Sequence, residues 1–478
     1  MLRPTKKRTF AALLSEERKM ERDSIDFGKT NIPRLFVKLF VPTFLGLLFW
    51  AVVTLADGIF VGQGVGSDAL AAINIAAPLF QVASGIALMF GSGASIVAAI
   101  HLSRGNTKAA CINVTQAIVV ATVLMMLVSA VVYVFPCEVA FLFGGSERLM
   151  PYIIDYLYFV MPALIFCIIA IIGVFVVRLD GSPNFAMIAN VVGSVMNIIL
   201  DWFFIFPCGM GIKGAAVGTS IACGVSAAMV LYYFLWRANT LRFYRLKFSC
   251  TSLKLTMRNV GYMIKMGFST FVGETALSCM MIVGNFMYMS RLGEDGVAAY
   301  SVACYTFPLV FMFGSAVAQS AQPIISYNHG AHNIGRIRRT FRLSVTVATL
   351  CSLPIVAFGM FFCNPLISCF LSPSAPAYQI AIEGFPLFSL SFIFFSLNLV
   401  LIGYYQALEE ARAATVFMAL RGYLLIVPSF ILLPSLFGDR GLWLAVPLSE
   451  AMTFLCICIY LAAKRIRNER KCLSLHKN

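Results

Sequence analysis

The chain has 478 residues, of which 60% are hydrophobic and only 12% charged, and its mean hydropathy is +0.86. Because a soluble domain carries roughly 25% charged residues, this composition argues against a water-soluble enzyme or binding module and indicates a membrane protein. The net charge of +15 would fit a nucleic-acid partner, but the distribution of the basic residues favours another explanation.

Twelve apolar runs follow one another along the chain, and each is long enough to cross a bilayer, which takes about 20 helical residues. They cover approximately residues 34–61, 69–101, 110–135, 152–177, 184–206, 212–236, 260–289, 297–326, 340–362, 383–407, 413–435 and 441–463. Each gap holds a charge, proline or glycine cluster, so the number of spans is better defined than their ends. The sequence predicts an all-α polytopic membrane protein.

Lysine and arginine are concentrated on one side of these spans. The two tails and every second loop together hold 29 of the 36 basic residues, against 4 in the other loops. Since basic loops stay in the cytoplasm, we expect both termini to be cytoplasmic, in a plasma (inner) membrane, and we expect no nucleic-acid partner. The 14 cysteines show neither a CxxC motif nor a Cys/His ligand spacing, so we expect no disulfide framework and no zinc site.

Two short sequence matches recur at the same offset of 227 residues. "LAAINIA" at 70–76 resembles "VAAYSVA" at 297–303, and "GIKGAAVG" at 211–218 resembles "GDRGLWLA" at 438–445. Six spans separate the copies, which predicts two parallel six-helix repeats about an axis along the membrane normal. The predicted order is a tail at 1–33, an N-lobe at 34–236, a linker at 237–259, a C-lobe at 260–463 and a tail at 464–478. Two facing lobes are typical of a transporter that works by alternating access.

Several polar residues inside the N-lobe spans are predicted to lie at about the same depth in the membrane. In "SVMNIILDWFF" (194–204), Asn197 and Asp201 are four residues apart and share a helix face. Asp201 lies five residues before the end of its span and Thr219 seven residues into the next, so both sit roughly 8 to 10 Å below the turn. Asp57 lies four residues from the end of the first span.

These four side chains offer two carboxylates, an amide and a hydroxyl, which suit a monovalent cation such as Na⁺ and suit a proton equally well. An unpaired carboxylate inside a bilayer costs at least ~2.5 kcal/mol, so the chain is expected to use this pair. Taken singly, Asp201 could instead bond a neighbouring helix, and Asp57 could lie at the headgroup boundary.

The segments "ADGIFVGQGVGSDALAAINIAAP", "MNIILD" and "GIKGAAVGTSIA" resemble the multidrug and toxic compound extrusion (MATE) family, and the likeness extends over residues 34–463. This resemblance implies two six-helix lobes, related by pseudo-two-fold symmetry, that export organic and often cationic compounds in exchange for protons or sodium ions. In the DinF-like branch the N-lobe cation site falls on Asp57, Asn197, Asp201 and Thr219. No other cofactor is expected.

The C-lobe candidates are less complete. Glu274, about eight residues into the seventh span, resembles a helix 7 glutamate of the NorM-like branch, but the acid which that branch uses in helix 10 is missing here. Glu274, Asn285 and Arg421 are candidates for substrate binding. Glu274 could pair with a cationic substrate or with a structural partner. Arg421 in the eleventh span could pair with Glu274, or could contact backbone carbonyls or an anionic substrate group.

The sequence therefore predicts a monomeric efflux transporter, and no enzyme, that exports cationic or amphipathic compounds in antiport with protons or sodium ions. One alternative is a lipid-linked precursor flippase of the same wider superfamily, whose cavities carry several basic residues, whereas Arg421 alone lies deep within a span here. A membrane-embedded lipid-modifying enzyme is disfavoured because the four histidines, at positions 101, 329, 332 and 476, lie at helix ends, in loops or in tails.

Overall fold

The computed structural model describes residues 26–65, 67–142, 147, 149–246, 249–368, 370–371, 373–374 and 376–475. Most of the predicted N-terminal tail, together with residues 476–478 of the C-terminal tail, lies outside the described residues. Within the described part the regular structure is entirely helical, and eleven helices are long and apolar enough to cross a membrane. The all-α prediction is confirmed.

Six long helices form the N-lobe. In chain order they are α1 (Ile32–Gly64), α2 (Ser67–Ser103), α3 (Thr107–Val134), α4 (Met150–Leu179), α5 (Pro183–Ile205) and α6 (Ile212–Arg237). A short helix, Pro136–Leu142, follows α3, and the last turn of α6, Tyr233–Arg237, is π-helical.

Six further helices form the C-lobe. They are α7 (Cys250–Gly293), α8 (294–330), α9 (Ile334–Phe361), α10 (Pro376–Ala407), α11 (Ala411–Phe437) and α12 (Asp439–Leu475). Helices α7 and α8 are joined only through Gly293, whose φ of +66° turns the chain between them. This left-handed conformation favours glycine, which has no Cβ to clash. With α8 counted, the predicted twelve helices are present.

The helix ends differ from the apolar runs by a few turns. Helix α7 begins at Cys250, ten residues before the predicted seventh span, and α12 continues to Leu475. A hydropathy pattern reports the part of a helix that lies in hydrocarbon, whereas the backbone hydrogen bonding of a helix continues into the polar turns beyond it.

Local sequence explains where several helices start. Pro33, Pro151 and Pro183 each stand in the first turn of a helix, where the missing N–H of proline costs no hydrogen bond. Asn106 caps α3 by accepting from the N–H of Ala109. Thus the boundaries of α1, α3, α4 and α5 follow from ordinary capping chemistry.

The first described residues and the C-terminal helix both reach the same end of the molecule. Residues 26–30 lie there, since the Nδ2 of Asn328, near the end of α8, donates to the carbonyl of Phe27 at 3.1 Å. Lys464 of α12 is paired with Glu410 in the turn after α10. We call this end the terminal face and the opposite end the far face.

The two lobes touch backbone to backbone where α2 crosses α7. A Cβ atom at Gly93 would lie 2.1 Å from the carbonyl oxygen of Met263, and one at Gly267 would lie 1.9 Å from that of Met89. Only glycine permits this approach, which is common where small residues line the interface of two membrane helices.

A buried polar network accompanies this crossing. Gln406 of α10 donates through Nε2 to the carbonyl of Met266 and to Thr270 Oγ1, both at 2.9 Å. Ser92 Oγ of α2 lies 3.1 Å from Thr270 Oγ1, and its carbonyl accepts from Gln322 Nε2 at 3.2 Å. These contacts join the lobes in the half of the molecule near the terminal face.

Asp180, in the turn after α4, holds the segment that links the lobes. Its Oδ1 accepts from the backbone N–H groups of Thr240 and Leu241 at 2.8 and 2.9 Å. Its Oδ2 accepts from the N–H of Asn239 at 2.7 Å and from the Tyr233 hydroxyl at 2.8 Å. Burial raises the pKa of this carboxyl group, and the four hydrogen bonds oppose that rise. Asp180 therefore fixes where the linker leaves the N-lobe.

We expect Asp180→Ala to destabilise the protein measurably. The substitution removes the side-chain acceptor of the backbone N–H groups of Asn239, Thr240 and Leu241. A donor left unsatisfied in a buried position, as that of Leu241 is, costs about 1–3 kcal/mol. Thermal unfolding in detergent should show a lower midpoint. The matched control is Asp155→Ala, because Asp155 forms an exposed ion pair with Lys213 at 3.2 Å, a contact worth at most about 1 kcal/mol. Equal midpoints for the two variants would contradict the assigned role.

Candidate functional site

The four residues predicted from the N-lobe spans meet in one pocket. Asn197 Nδ2 donates to Asp201 Oδ1 on the next turn of α5 and to Thr219 Oγ1 of α6, both at 3.3 Å. Asp57 of α1 faces Asp201, near enough for the two carboxyl groups to share a hydrogen bond. Such a bond needs a proton on one of them, because an ionised carboxylate only accepts.

The pocket contains more acceptors than donors. Asn197 and Asp201 are buried, and among the described residues no donor contacts Asp57 Oδ1, Asn197 Oδ1 or Asp201 Oδ2. The Thr219 hydroxyl donates a hydrogen bond to the carbonyl of Ala215 at 3.0 Å. Its oxygen lone pairs therefore face the pocket as acceptors. A buried polar atom without a partner costs about 1–3 kcal/mol. A bound proton or monovalent cation would remove this penalty.

Two further residues shape the pocket. A Cβ atom at Gly218 of α6 would lie 2.2 Å from Asp201 Oδ1, so glycine is what lets α6 approach α5 here. Tyr156 of α4 is buried and close enough to interact electrostatically with both Asp57 and Asp201. Sequence analysis did not identify either one, since Gly218 is one glycine of many and Tyr156 is one aromatic residue within an apolar run.

We expect Gly218→Ala to disable the pocket while the lobe still folds. The added methyl group must displace the Asp201 carboxylate, and overpacking of this kind typically costs about 1–3 kcal/mol. If that energy is lost from ion binding, gradient-driven efflux from proteoliposomes at a limiting ion concentration should fall at least about fivefold. Gly224→Ala on the same helix is the control, because its Cβ would stand 3.5 Å from Phe166 in ordinary contact. Equal transport by the two variants would contradict this geometry.

Glu274 lies at the boundary between the lobes. A Cβ at Gly85 of α2 would stand 3.7 Å from the Cβ of Glu274, and Gln81 Nε2 of α2 donates to the Glu274 carbonyl at 3.3 Å. No described residue forms an ion pair or hydrogen bond with its carboxylate. Asn285 is exposed, eleven residues further along α7, which is roughly 16 Å of helix. The structure does not bring Asn285 to Glu274.

Of the partners considered for Arg421, Glu274 is not the one that it contacts. Arg421 Nε donates to Glu450 Oε1 of α12 at 2.6 Å, and its guanidinium lies 4.0 Å from the ring centroid of Phe395. Asn398 Nδ2 of α10 donates to Glu450 Oε2 at 2.7 Å. The ion pair is buried inside the C-lobe, and Arg421 lies in a π-helical turn, Leu420–Leu424.

Glu450 and Asn398 were missed by sequence analysis. The sequence could have revealed Glu450, because an ionisable residue within an apolar span is a candidate functional site and Glu450 lies in the last span. Asn398 carried a weaker signal. A cavity beside the ion pair is lined by Ala276, Leu277, Met280, Arg421, Gly422, Ile426 and Glu450.

We expect single substitutions of the C-lobe pair to be costly and the double substitution less so. Arg421→Met or Glu450→Gln alone strands one polar partner, and breaking a buried pair costs about 3–5 kcal/mol. Removing both charges in a double variant should recover much of the lost stability. A double-mutant cycle of unfolding measurements gives the interaction energy between the two side chains. Strictly additive effects would show that the two side chains do not depend on each other.

Comparison with known proteins identifies the family. The sequence matches the MatE family model over residues 42–203 and 269–431, one segment in each lobe. The chain belongs to the MATE family. The family predicted from the three quoted segments is thereby confirmed, and the assignment of the pocket to the DinF-like branch stays a prediction.

Relatives match this MATE protein over nearly its whole length. The multidrug export protein MepA of Staphylococcus saprophyticus is 24% identical over 453 residues, covering 92% of this chain and 96% of MepA. MepA of Staphylococcus aureus strain N315 is 22% identical over 451 residues with the same coverage. These relatives are named as export proteins, which agrees with the prediction that the chain is not an enzyme.

Solved structures share the fold. A mutant of the Vibrio cholerae MATE transporter VcmN matches with a TM-score of 0.84 at 22% identity, covering 91% of this chain and 97% of that one. The outward-facing conformation of a multidrug resistance MATE family transporter of the MOP superfamily matches with a TM-score of 0.82 at 21% identity and the same coverage. This likeness confirms a twelve-helix, two-lobe multi-pass membrane protein.

Proposed function

We propose that this MATE protein is a secondary active efflux transporter that exports organic cationic or amphipathic compounds in antiport with protons or sodium ions. Membership of the family supports this function, as does likeness to relatives named multidrug export proteins. The observation that carries the proposal is the N-lobe pocket, where Asp57 and Asp201 face each other and three oxygens lack donors among the described residues.

The proposed orientation places the terminal face in the cytoplasm, in a plasma membrane. Its support is the bias of 29 basic residues against 4 between the two sets of loops. The lobe contacts at Gly93 and Gly267 lie in the half near that face, which fits a transporter closed to the cytoplasm. The N-lobe pocket lies in the other half, within reach of ions from outside.

The coupling step proposed is neutralisation of the carboxyl pair. Two carboxylates in a site of low dielectric repel each other, so an ion entering from outside stabilises the conformation in which Asp57 and Asp201 stay close. Thr219 and Asn197 supply neutral oxygens, and the four residues together fit Na⁺ as a monovalent cation with oxygen ligands. For a proton, the carboxyl pair alone suffices. Release of the ion into the cytoplasm would reset the cycle.

Glu274 is the proposed partner of a cationic substrate, since it stands at the boundary between the lobes with no described partner for its carboxylate. Arg421 is not assigned to the substrate, because Glu450 neutralises it within the C-lobe. The same ion pair disfavours a lipid-linked precursor flippase, which would need free basic groups for pyrophosphate. Asn285 stays a predicted contact, and a monomeric state stays a prediction.

We expect Asp57→Asn and Asp201→Asn each to abolish gradient-driven efflux. The amide keeps the shape of the carboxyl group but does not cycle between charged and neutral forms. Efflux of a fluorescent organic cation from proteoliposomes, first under an imposed pH gradient and then under a sodium gradient, measures the loss and identifies the ion. Asp155→Asn, at the exposed ion pair with Lys213, is the control. Full transport by both pocket variants would overturn the proposal.

A further inference from the structure

Arg178 is a buried arginine at the boundary between the lobes, in the last turn of α4. The residue is 6% exposed, and its Nη1 donates to Gln319 Oε1 of α8, across the boundary, at 2.7 Å. The ring centroid of Phe175, one turn earlier on α4, lies 5.3 Å from the guanidinium carbon, a distance at which a ring attracts a cation. The N-lobe pocket and Glu274 play no part in these contacts.

Among the described residues, Arg178 and Arg421 are the two basic residues that are buried. Glu450 neutralises Arg421, whereas none of the ion pairs between described residues includes Arg178. The acid nearest to it in sequence, Asp180, instead accepts from Tyr233 and from the linker N–H groups. Because arginine does not lose its proton in proteins, the boundary contains a positive charge that pairs with no described acid.

The direction in which Arg178 points distinguishes it from the basic residues that orient a membrane protein. A long basic side chain near the end of a membrane helix ordinarily extends to the water at the membrane surface. Arg178 is turned instead towards the other lobe, where burial of an unpaired charge is costly. An ionisable residue kept at such a cost is a candidate functional residue.

The polar network that joins the lobes lies beside Arg178. Gln319 and Gln322 are three residues apart on α8, which places them on one helix face, roughly 5–6 Å apart. Gln322 donates to the carbonyl of Ser92 at 3.2 Å, and Ser92 Oγ lies 3.1 Å from Thr270 Oγ1. The oxygen atoms of these neutral groups can replace water around a cation. Arg178 adds a positive charge next to them.

We propose that Arg178 is a cation-excluding residue, whose charge keeps Na⁺, protons and cationic substrates from passing between the lobes while the terminal face is closed. The inference rests on the proposed antiport, because the closed half must then withstand an ion gradient. A fixed arginine charge beside a polar path is an electrostatic barrier to cations. It repels cations and attracts anions, so its effect depends on the sign of the charge that passes.

The barrier depends on the exclusion of water from the guanidinium group. For two charges roughly 10 Å apart, repulsion at an effective dielectric constant of about 20 corresponds to a roughly tenfold change in rate, and in bulk water to about twofold. Separation of the lobes breaks the contact between Arg178 and Gln319 and lets water reach the guanidinium. The repulsion is therefore strong while the terminal face is closed and weak when it opens, which is when a cation has to pass.

Passive Na⁺ flux into proteoliposomes, under an inside-negative potential and without substrate, tests this role. Arg178→Met should admit Na⁺ at least about tenfold faster than wild type, because it removes the charge and keeps the apolar stem. Arg178→Lys keeps the charge and should stay within about twofold of wild type. The control is Arg237→Met, since Arg237 is an exposed basic residue at the end of α6 and should match wild type.

Chloride flux through the same variants, measured under the opposite potential, separates charge from packing. If Arg178 only held the lobes together, Arg178→Met would loosen the closed half and raise the fluxes of Na⁺ and chloride together. Loss of a cation barrier should raise the flux of Na⁺ and leave that of chloride at or below the wild-type rate.

Gln319→Glu gives a second, independent test. The new carboxylate keeps an acceptor for Arg178 and forms an ion pair with it, so the contact between the lobes becomes stronger while the positive charge is neutralised. Na⁺ flux should rise with this variant as well. A residue that only held the lobes together would give a Na⁺ flux equal to or below that of wild type.

These fluxes are judged separately from transport, because they need neither substrate nor antiport. If wild type shows no gradient-driven efflux, the proposed function fails, and the ion fluxes still decide the role of Arg178. A wild-type Na⁺ flux in Arg178→Met or in Gln319→Glu, or a joint rise of Na⁺ and chloride fluxes in Arg178→Met, would overturn the cation barrier. If Arg178→Met does not fold, Gln319→Glu decides alone.

Discussion

Burial of like charges is the constraint on which the N-lobe depends. Asp57 and Asp201 stand together in a membrane-spanning bundle where water cannot screen them, with only Asn197 to donate to Asp201 among the described contacts. Neither charge is offset by a basic side chain among the described residues. Two ionised carboxylates would repel each other strongly in such a site, and a bound proton or monovalent cation would relieve that repulsion.

In the C-lobe, buried charge is neutralised by an ion pair within the lobe. Arg421, Glu450 and Asn398 satisfy one another inside the lobe, and the ring of Phe395 covers the guanidinium. The buried acids of the N-lobe have no basic partner among the described residues, whereas Glu450 of the C-lobe pairs with Arg421. The two lobes therefore differ in charge balance.

The sequence predicts how far along a membrane helix a residue lies better than it predicts which neighbouring helix its side chain faces. The rise per residue is constant, so counting from the span ends brought Asp57, Asp201 and Thr219 to one level, and the structure places them together. Direction depends on how helices pack and on local irregularities, which composition does not encode. Arg421 pairs with Glu450 of its own lobe, and counting along the spans does not show which of the neighbouring helices Arg421 faces.

The glycine crossing of α2 and α7 has a mechanical consequence. At Gly93 and Gly267, the backbone of one helix lies directly against a carbonyl oxygen of the other helix, with no side chain between them. No side chain interlocks the helices at these two positions, so it is the neighbouring hydrogen bonds of Ser92 to Thr270 and Gln322 that must break before the lobes can separate there. A single methyl group at either glycine would act as a wedge and hold the two lobes apart in the half of the molecule near the terminal face.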